Sequence, residues 1–193
     1  KILCPDDVHN HFPAWRNYRE YCNGPLADIG AHHFDIGQWA MDADDTGPFK
    51  ILPPEEGESE LKLIYANGVE VIHGRDPEWK GGTIFYGTEG TIWVDRGPWK
   101  SDPESLIKEY EASVTLRQPR NHHEDWLDCI HSGEMAMAHA EAGHRTASIC
   151  QLCNIGYELR SELTWDPKKE VFVGDREANK LTDRKRRKKW YRV

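Results

Sequence analysis

Apolar residues recur at helical spacing in three stretches of the chain and predict helices near residues 26–41, 121–132 and 138–160. Asn23-Gly24-Pro25 can open the first helix, because proline is tolerated in the first helical turn. Asn121 and Glu124 have the spacing of a capping box at the start of the second helix, and Gly133 suits its end. The inward stripe expected for this second helix comprises His123, Trp126, Leu127 and Ile130.

Between the first two helices the apolar positions indicate strands instead. Two turn signals divide this region: Asn67-Gly68, a pair that favours a type I′ hairpin, and the glycine-bounded turn 87–90. The strands predicted around them are 61–66, 69–73, 83–86, 91–95 and 110–116. Sequential hairpins form antiparallel sheets, so the predicted fold class is α+β, a mostly antiparallel open sheet backed by helices.

Charge is distributed unevenly along the chain. The formal net charge is −8, yet residues 184–192 contain seven of the 25 basic residues and no acidic one. Residues 1–183 therefore carry 18 basic against 33 acidic side chains, a net charge of −15 that would repel a phosphate backbone. We expect no nucleic-acid partner for the body of the chain. The basic segment could bind RNA or anionic lipid by itself, but we expect it to be an exposed arm or to lie along acidic surface. No apolar run approaches the ~18 residues of a membrane span, so no membrane partner is expected.

The first predicted helix separates its polar and apolar side chains. With a turn of about 100° per residue, the side chains on one polar side are Asp28, His32, Asp35 and Trp39. His33 instead falls within the broad apolar arc, where it would be a packed, hydrogen-bonded histidine. The two adjacent histidines are therefore expected to lie in different environments.

Three interpretations fit a histidine beside carboxylates on one helix face. The imidazole can act as a general base, with a carboxylate fixing its tautomer. Asp28, His32 and Asp35 can instead form part of a metal site. The third interpretation is a solvated polar face with an ordinary ion pair. Spacing alone leaves all three open.

Aromatic and basic side chains cluster before this helix at Trp15, Arg16, Tyr18 and Arg19. Stacking faces and guanidinium donors commonly hold sugars or carboxylates, but such a cluster can equally cover a core or another subunit. Cys150-x-x-Cys153 lies in mid-helix, away from the N-terminal position typical of redox pairs, so we expect packing thiols. The five cysteines are scattered, which argues against disulfides and favours a reducing compartment.

The stretch DIGAHHFDIGQW at residues 28–39 resembles the C-terminal domain of the Gfo/Idh/MocA oxidoreductases, in their bacterial branch. The resemblance continues through residues 44–48, 86–90, 121–127, 143–147, 165–167 and 174–179, and so covers nearly the whole chain. It implies an α+β domain with a large open sheet, of the type also found in dihydrodipicolinate reductase.

The same resemblance implies a two-domain enzyme in which an N-terminal Rossmann domain binds NAD or NADP. The C-terminal domain would supply the site for a sugar, polyol or glycoside. Asp28 and His32 match the family's catalytic aspartate and histidine, and the histidine takes the hydroxyl proton during hydride transfer. This sequence contains neither a Gly-x-Gly-x-x-Gly loop nor the family's Glu-Lys-Pro lysine motif. We therefore expect the cofactor to be bound mainly elsewhere, and this chain, a fragment of a longer enzyme or a stand-alone domain, to be inactive without a Rossmann domain. The alternative is a non-redox domain that uses Asp28, His32 and Asp35 to bind a metal, or that serves as a scaffold for oligomerisation.

The expected organisation is a single substrate-binding and oligomerisation domain over residues 1–193, with an aromatic segment 1–22 and an extended C-terminal arm 162–193. The substrate-binding residues expected are Trp15, Arg16, Tyr18, Arg19, Asp35 and Trp39. The chain begins at Lys1 without methionine, so we expect a processed or excised piece. A homo-oligomer through the open sheet face is expected, because uncovered apolar strands favour burial. The compartment stays open between cytoplasm and bacterial periplasm.

Overall fold

The computed structural model describes residues 16, 21–79, 81–95, 97, 99–108 and 121–183. The contacts of the chain divide it into two compact units. The first unit comprises residues 1–31, 46–74 and 147–193, and the second comprises residues 32–45 and 75–146. The single domain expected from the sequence stays a prediction.

Eight strands and six helices lie within the described residues. The strands are β1 (Lys50–Leu52), β2 (Leu61–Ile64), β3 (Glu70–His73), β4 (Thr83–Tyr86), β5 (Thr91–Val94), β6 (Lys100–Asp102), β7 (Leu163–Asp166) and β8 (Val171–Phe172). The helices are α1 (Gly24–Asp28), α2 (Gly30–Ala40), α3 (Ser105–Lys108), α4 (His122–Ser132), α5 (Ala140–Leu159) and α6 (Arg176–Leu181). Every strand pair is antiparallel, which confirms the predicted α+β class.

The first unit contains a five-stranded sheet in the order β3-β2-β1-β7-β8. Alternation along the strands turns Ile51, Leu61 and Leu63 to one face, where all three are completely buried. Helix α5 packs on this face at Gly156, where a Cβ atom would lie only 2.7 Å from the side chains of Ile51 and Leu61. Glycine is what allows so close an approach of the helix to the sheet.

The second unit contains a three-stranded sheet in the order β4-β5-β6. Strands β4 and β5 form the predicted hairpin and pair Thr83 with Val94 and Tyr86 with Thr91. Gly90 has φ +146°, and a Cβ atom there would collide with the carbonyl oxygen of Asp102. The hairpin turn therefore requires glycine at this position.

Helix α4 begins and ends as predicted. The Asn121 side chain accepts hydrogen bonds from the backbone N–H groups of His123 and Glu124, both at 3.0 Å. Gly133 ends the helix with φ 77° and donates its N–H to the carbonyl of Cys129. Both caps depend only on the side chain or backbone freedom of one residue and on the adjacent backbone groups, so they could be predicted from the sequence.

The inward face predicted for α4 is wrong. All four residues expected there are exposed, namely His123, Trp126, Leu127 and Ile130. Asp125 and Cys129 are buried instead, at 4% and 7% exposure. The Asp125 carboxylate accepts the backbone N–H of Met137 at 2.9 Å, so this side of the helix is held against the segment that follows it.

The extended arm predicted for residues 162–193 is corrected up to residue 181, because β7, β8 and α6 occupy this segment. Asp175 caps α6 by accepting the N–H of Ala178 at 2.9 Å. The Asn179 side chain bonds both the N–H and the carbonyl of Phe172, which holds α6 against β8. The arm folds because its polar residues cap and bridge neighbouring elements.

The turn between β2 and β3 also differs from its prediction. Gly68 has φ +85°, whereas Asn67 is not among the described residues with positive φ, so the turn is not type I′. The predicted strand 110–116, residues 1–15 and the basic segment 184–192 lie outside the described residues.

Candidate functional site

The helix predicted over residues 26–41 is present as α1 and α2, which are joined at Ile29 in αR conformation. Its start is fixed by Asn23, whose backbone has φ 60°. The Asn23 side chain donates to Gln151 at 2.8 Å, and its carbonyl accepts from Asn154 at 3.0 Å. Both partners lie on α5, so helix α1 begins at a residue that is hydrogen-bonded to α5.

Asp28, the last residue of α1, forms an ion pair with Arg16. The guanidinium Nε lies 2.5 Å from Oδ2 of Asp28, and these side chains are 38% and 23% exposed respectively. The paired oxygen itself is buried. Two predicted site residues are thus brought together, and the guanidinium offsets the cost of burying this carboxylate oxygen.

The polar side of α2 carries three further predicted residues. His32, Asp35 and Trp39 are all exposed, and Trp39 retains 58% of its surface. The Asp35 carboxylate accepts a hydrogen bond at 2.9 Å from the hydroxyl of the buried Thr146. The outward orientation predicted for His32 agrees with its exposure, while the catalytic and binding roles of these residues remain predictions.

His33 is half-buried rather than enclosed in a core. Its Nε2 lies 3.4 Å from Oδ1 of Asp95, and the two side chains are 34% and 35% exposed. The Thr83 hydroxyl donates to the His33 carbonyl at 2.9 Å. The predicted hydrogen-bonding partner therefore exists, and it is a carboxylate supplied by the end of the β4–β5 hairpin.

The buried side of α2 agrees only in part with the predicted apolar arc, which includes Ile29, Phe34 and Ala40. Phe34 is buried as predicted. Gln38, which lies outside the arc, is also buried, whereas Ile29 is 51% exposed and Ala40 is exposed. The buried direction is rotated by roughly 100° around the helix from the centre of the predicted arc. Gln38 donates to the carbonyl of Ala43 at 2.7 Å, which satisfies its amide and closes the end of the helix.

A metal ion finds no ready site in the parts of the chain that the structure describes. No group of three or more histidine, cysteine, aspartate or glutamate side chains lies there in an arrangement that could hold a metal ion. The interpretation of Asp28, His32 and Asp35 as metal ligands therefore gains no geometric support.

Gly81 and Gly82, adjacent glycines with positive φ among the described residues, lead into strand β4 rather than into a helix that could bind a pyrophosphate. Where NAD or NADP is bound stays a prediction.

The other residues singled out in the sequence are two cysteines and three residues of the aromatic and basic cluster. Cys150 and Cys153 are buried to 1% and 0% exposure, and burial raises the pKa of the Cys150 thiol to about 11. Their placement confirms the prediction of packing thiols. Trp15, Tyr18 and Arg19 lie outside the described residues.

The antiparallel sheets and the helices packed on them define the class of this protein as an α+β domain. One of its helices carries aspartate and histidine on an exposed side, which is the candidate catalytic face. The chain matches the family model described as "Oxidoreductase family, C-terminal alpha/beta domain" over residues 3–192, and it belongs to this Gfo/Idh/MocA family. Comparisons with curated proteins and with solved structures gave no significant match. None of the described helices is long and apolar enough to cross a membrane.

Proposed function

We propose that this chain is the substrate-binding and catalytic half of an NAD(P)-dependent oxidoreductase that acts on a sugar, polyol or glycoside. The observation that carries the proposal is the exposed imidazole of His32 on a helix of an oxidoreductase-family domain. Phe34 and Gln38 bury the other side of the same helix. A histidine on a helix fixed in this way is held in a defined position toward solvent, as a general base requires.

In the proposed reaction His32 accepts the proton of a substrate hydroxyl. The O–H bond breaks, its electrons form the carbonyl, and the neutral imidazole becomes an imidazolium ion. The hydride would leave from the same carbon, whose C–H bond breaks, to a dinucleotide that another domain of the enzyme would hold. Arg16 holds the carboxylate of Asp28 at 2.5 Å, so we assign Arg16 a positioning role in addition to substrate binding. Trp39 and Asp35 would contact the substrate from the exposed side of α2.

The test compares two adjacent histidines in the complete enzyme, in which this chain is joined to its dinucleotide-binding domain. Sugars and polyols are assayed with NAD+ or NADP+. His32→Ala should lower kcat by ~10²–10⁴, the factor that a positioned base typically contributes, and should leave the fold unchanged.

His33→Ala is the matched control. It removes the partly exposed contact with Asp95 and should lower the free energy of unfolding by about 0.5–1.5 kcal/mol while leaving most of kcat. Normal turnover in His32→Ala, with a folded but inactive His33→Ala, would reverse the assignment.

We further propose that the open face of the five-stranded sheet forms a homo-oligomer contact. Ile72 and Val171 lie on the face opposite the buried strand residues and are 50% and 39% exposed. Lys62 lies opposite Ile72 on the same face, so the contact would be of mixed polarity. Ile72→Glu should weaken an assembly made through this face, as measured by sedimentation velocity, and an unchanged assembly would exclude this face.

A further inference from the structure

The exposed Asp35 carboxylate on α2 is held by a residue that the proposed reaction does not use. The hydroxyl of Thr146, on α5, donates to Oδ1 of Asp35 at 2.9 Å. Thr146 itself is only 6% exposed. Both residues belong to the second compact unit, and they are 111 residues apart in sequence. The contact therefore ties the exposed side of α2 to a buried side chain of another helix.

The surroundings of Thr146 favour this contact over other bonds. A buried hydroxyl costs free energy unless it has a hydrogen-bond partner. In a helix, a threonine hydroxyl commonly bonds a carbonyl three or four residues earlier in its own helix. Within the described residues, the Thr146 hydroxyl bonds the Asp35 side chain instead. Because threonine is branched at Cβ, few χ1 rotamers are open to it, so its hydroxyl is a donor of restricted direction.

This donor orders an exposed side chain. An ionised carboxylate accepts hydrogen bonds at both of its oxygens. With Oδ1 bonded to Thr146, the plane of the Asp35 carboxylate is restricted, and the direction of Oδ2 is restricted with it. A side chain that is ordered before a ligand arrives does not lose that conformational entropy on binding. The contact therefore prepares Asp35 to accept a hydrogen bond from outside the protein.

We propose that Thr146 is a positioning residue, which orients Asp35 to accept a hydrogen bond from a substrate hydroxyl. This inference rests on the proposed function and extends it. Asp35 lies three residues after His32, so their Cβ atoms are about 5–6 Å apart on one exposed helix side. A substrate that contacts both side chains carries a further hydroxyl near the one that is oxidised, as sugars and polyols do. Thr146 thus favours polyhydroxylated substrates over simple alcohols.

The test is a double-mutant cycle in the complete enzyme, assayed with D-glucose, D-sorbitol and myo-inositol and with NAD+ or NADP+. Thr146→Val removes the hydroxyl from a side chain of the same shape. It should raise KM roughly three- to tenfold and change kcat less than about twofold, because His32 is untouched. Asp35→Ala should raise KM at least as much. Thr146→Val should add nothing further in the Asp35→Ala enzyme, because Thr146 acts through Asp35.

Two controls separate positioning from a merely structural role. Thr146→Ser keeps the hydroxyl and should return KM to within about twofold of the unmodified enzyme. Thr182→Val removes a hydroxyl that also donates at 2.9 Å, to the carbonyl of Asn179, and it should leave KM unchanged. An unchanged KM in Thr146→Val would overturn the proposal. An equal rise in KM with and without the Asp35 carboxylate would overturn it too.

A crystal structure of the enzyme and one of its Thr146→Val variant distinguish failure of this inference from failure of the proposed function. Asp35 should adopt one conformer in the first and a different one, or several, in the second. The same Asp35 conformer in both would overturn the positioning role, whatever the enzyme oxidises. An Asp35 that changes conformer in an enzyme that oxidises none of the three probes would support the ordering by Thr146 and overturn the substrate role together with the proposed function.

Discussion

The contact between α5 and the five-stranded sheet allows a quantitative test of the packing at Gly156. A Cβ atom there would lie 2.7 Å from Ile51 Cγ2 and from Leu61 Cδ1, both in completely buried residues. Carbon atoms pack best at about 3.5–4.0 Å, so α5 and the sheet must separate by roughly 1 Å to admit a methyl group. Overpacking of this kind costs about 1–3 kcal/mol. The higher helix propensity of alanine relative to glycine offsets at most about 1 kcal/mol of this cost.

Gly143 supplies the matched control on the same helix. A Cβ atom at Gly143 meets nothing within 4 Å, so Gly143→Ala should stabilise the protein by up to about 1 kcal/mol. We therefore expect Gly156→Ala to lie about 1–3 kcal/mol below Gly143→Ala in free energy of unfolding, measured by urea denaturation. Gly156→Val should be more destabilising still. Equal stabilities of the two alanine variants would refute the inference that α5 approaches the sheet at Gly156.

Three further predictions concern caps, buried carboxylates and pH. Asn121→Ala removes the acceptor of two N–H groups at 3.0 Å and should cost ~1 kcal/mol in urea unfolding, whereas Asn121→Ser should retain most of the stability. Asp125→Ala removes the buried carboxylate that accepts the N–H of Met137 and should cost about 1–3 kcal/mol, the usual contribution of a hydrogen bond to a charged group, with Asp125→Asn less destabilising; equal losses would contradict this role. Burial, and secondarily Cys153, raises the pKa of Tyr157 to about 12, so the folded state keeps this proton where the unfolded chain loses it. This contribution to stability is complete below pH ~10 and is lost as the pH rises toward 12. Burial also raises the pKa of Tyr65, so phenolate absorbance should show at least two late-titrating tyrosines, of which Tyr157→Phe removes one.

The sequence was sufficient for features that depend on neighbouring residues. Asn121 and Gly133 mark their helix ends because the cap needs only the adjacent backbone groups. Gly90 marks the second hairpin for the same reason. Pro25 likewise occupies the first turn of α1. These elements could be placed to within a few residues.

The orientation of helices could not be obtained in the same way. A helical wheel shows where the apolar side chains are, but it does not show which surface will meet them. In α4 the apolar arc with Trp126 and Ile130 faces outward, and the helix is held instead through Asp125. In α2 the amide of Gln38 is buried because a carbonyl five residues later satisfies it. Each case depends on a partner that the periodicity does not contain.

The candidate site shows the same limit at His33. Its carboxylate neighbour, Asp95, is 62 residues away in sequence, so no local pattern could have indicated the acidic partner of His33. Carboxylates on the same helix side therefore do not by themselves distinguish the two histidines. What distinguishes them is accessibility and constraint: His32 is exposed, whereas the helix at His33 is held by Thr83 through its carbonyl and by Asp95 through its ring. A residue engaged on both sides by its own unit is suited to fixing the helix, and for this reason we propose the more exposed imidazole next to it as the general base.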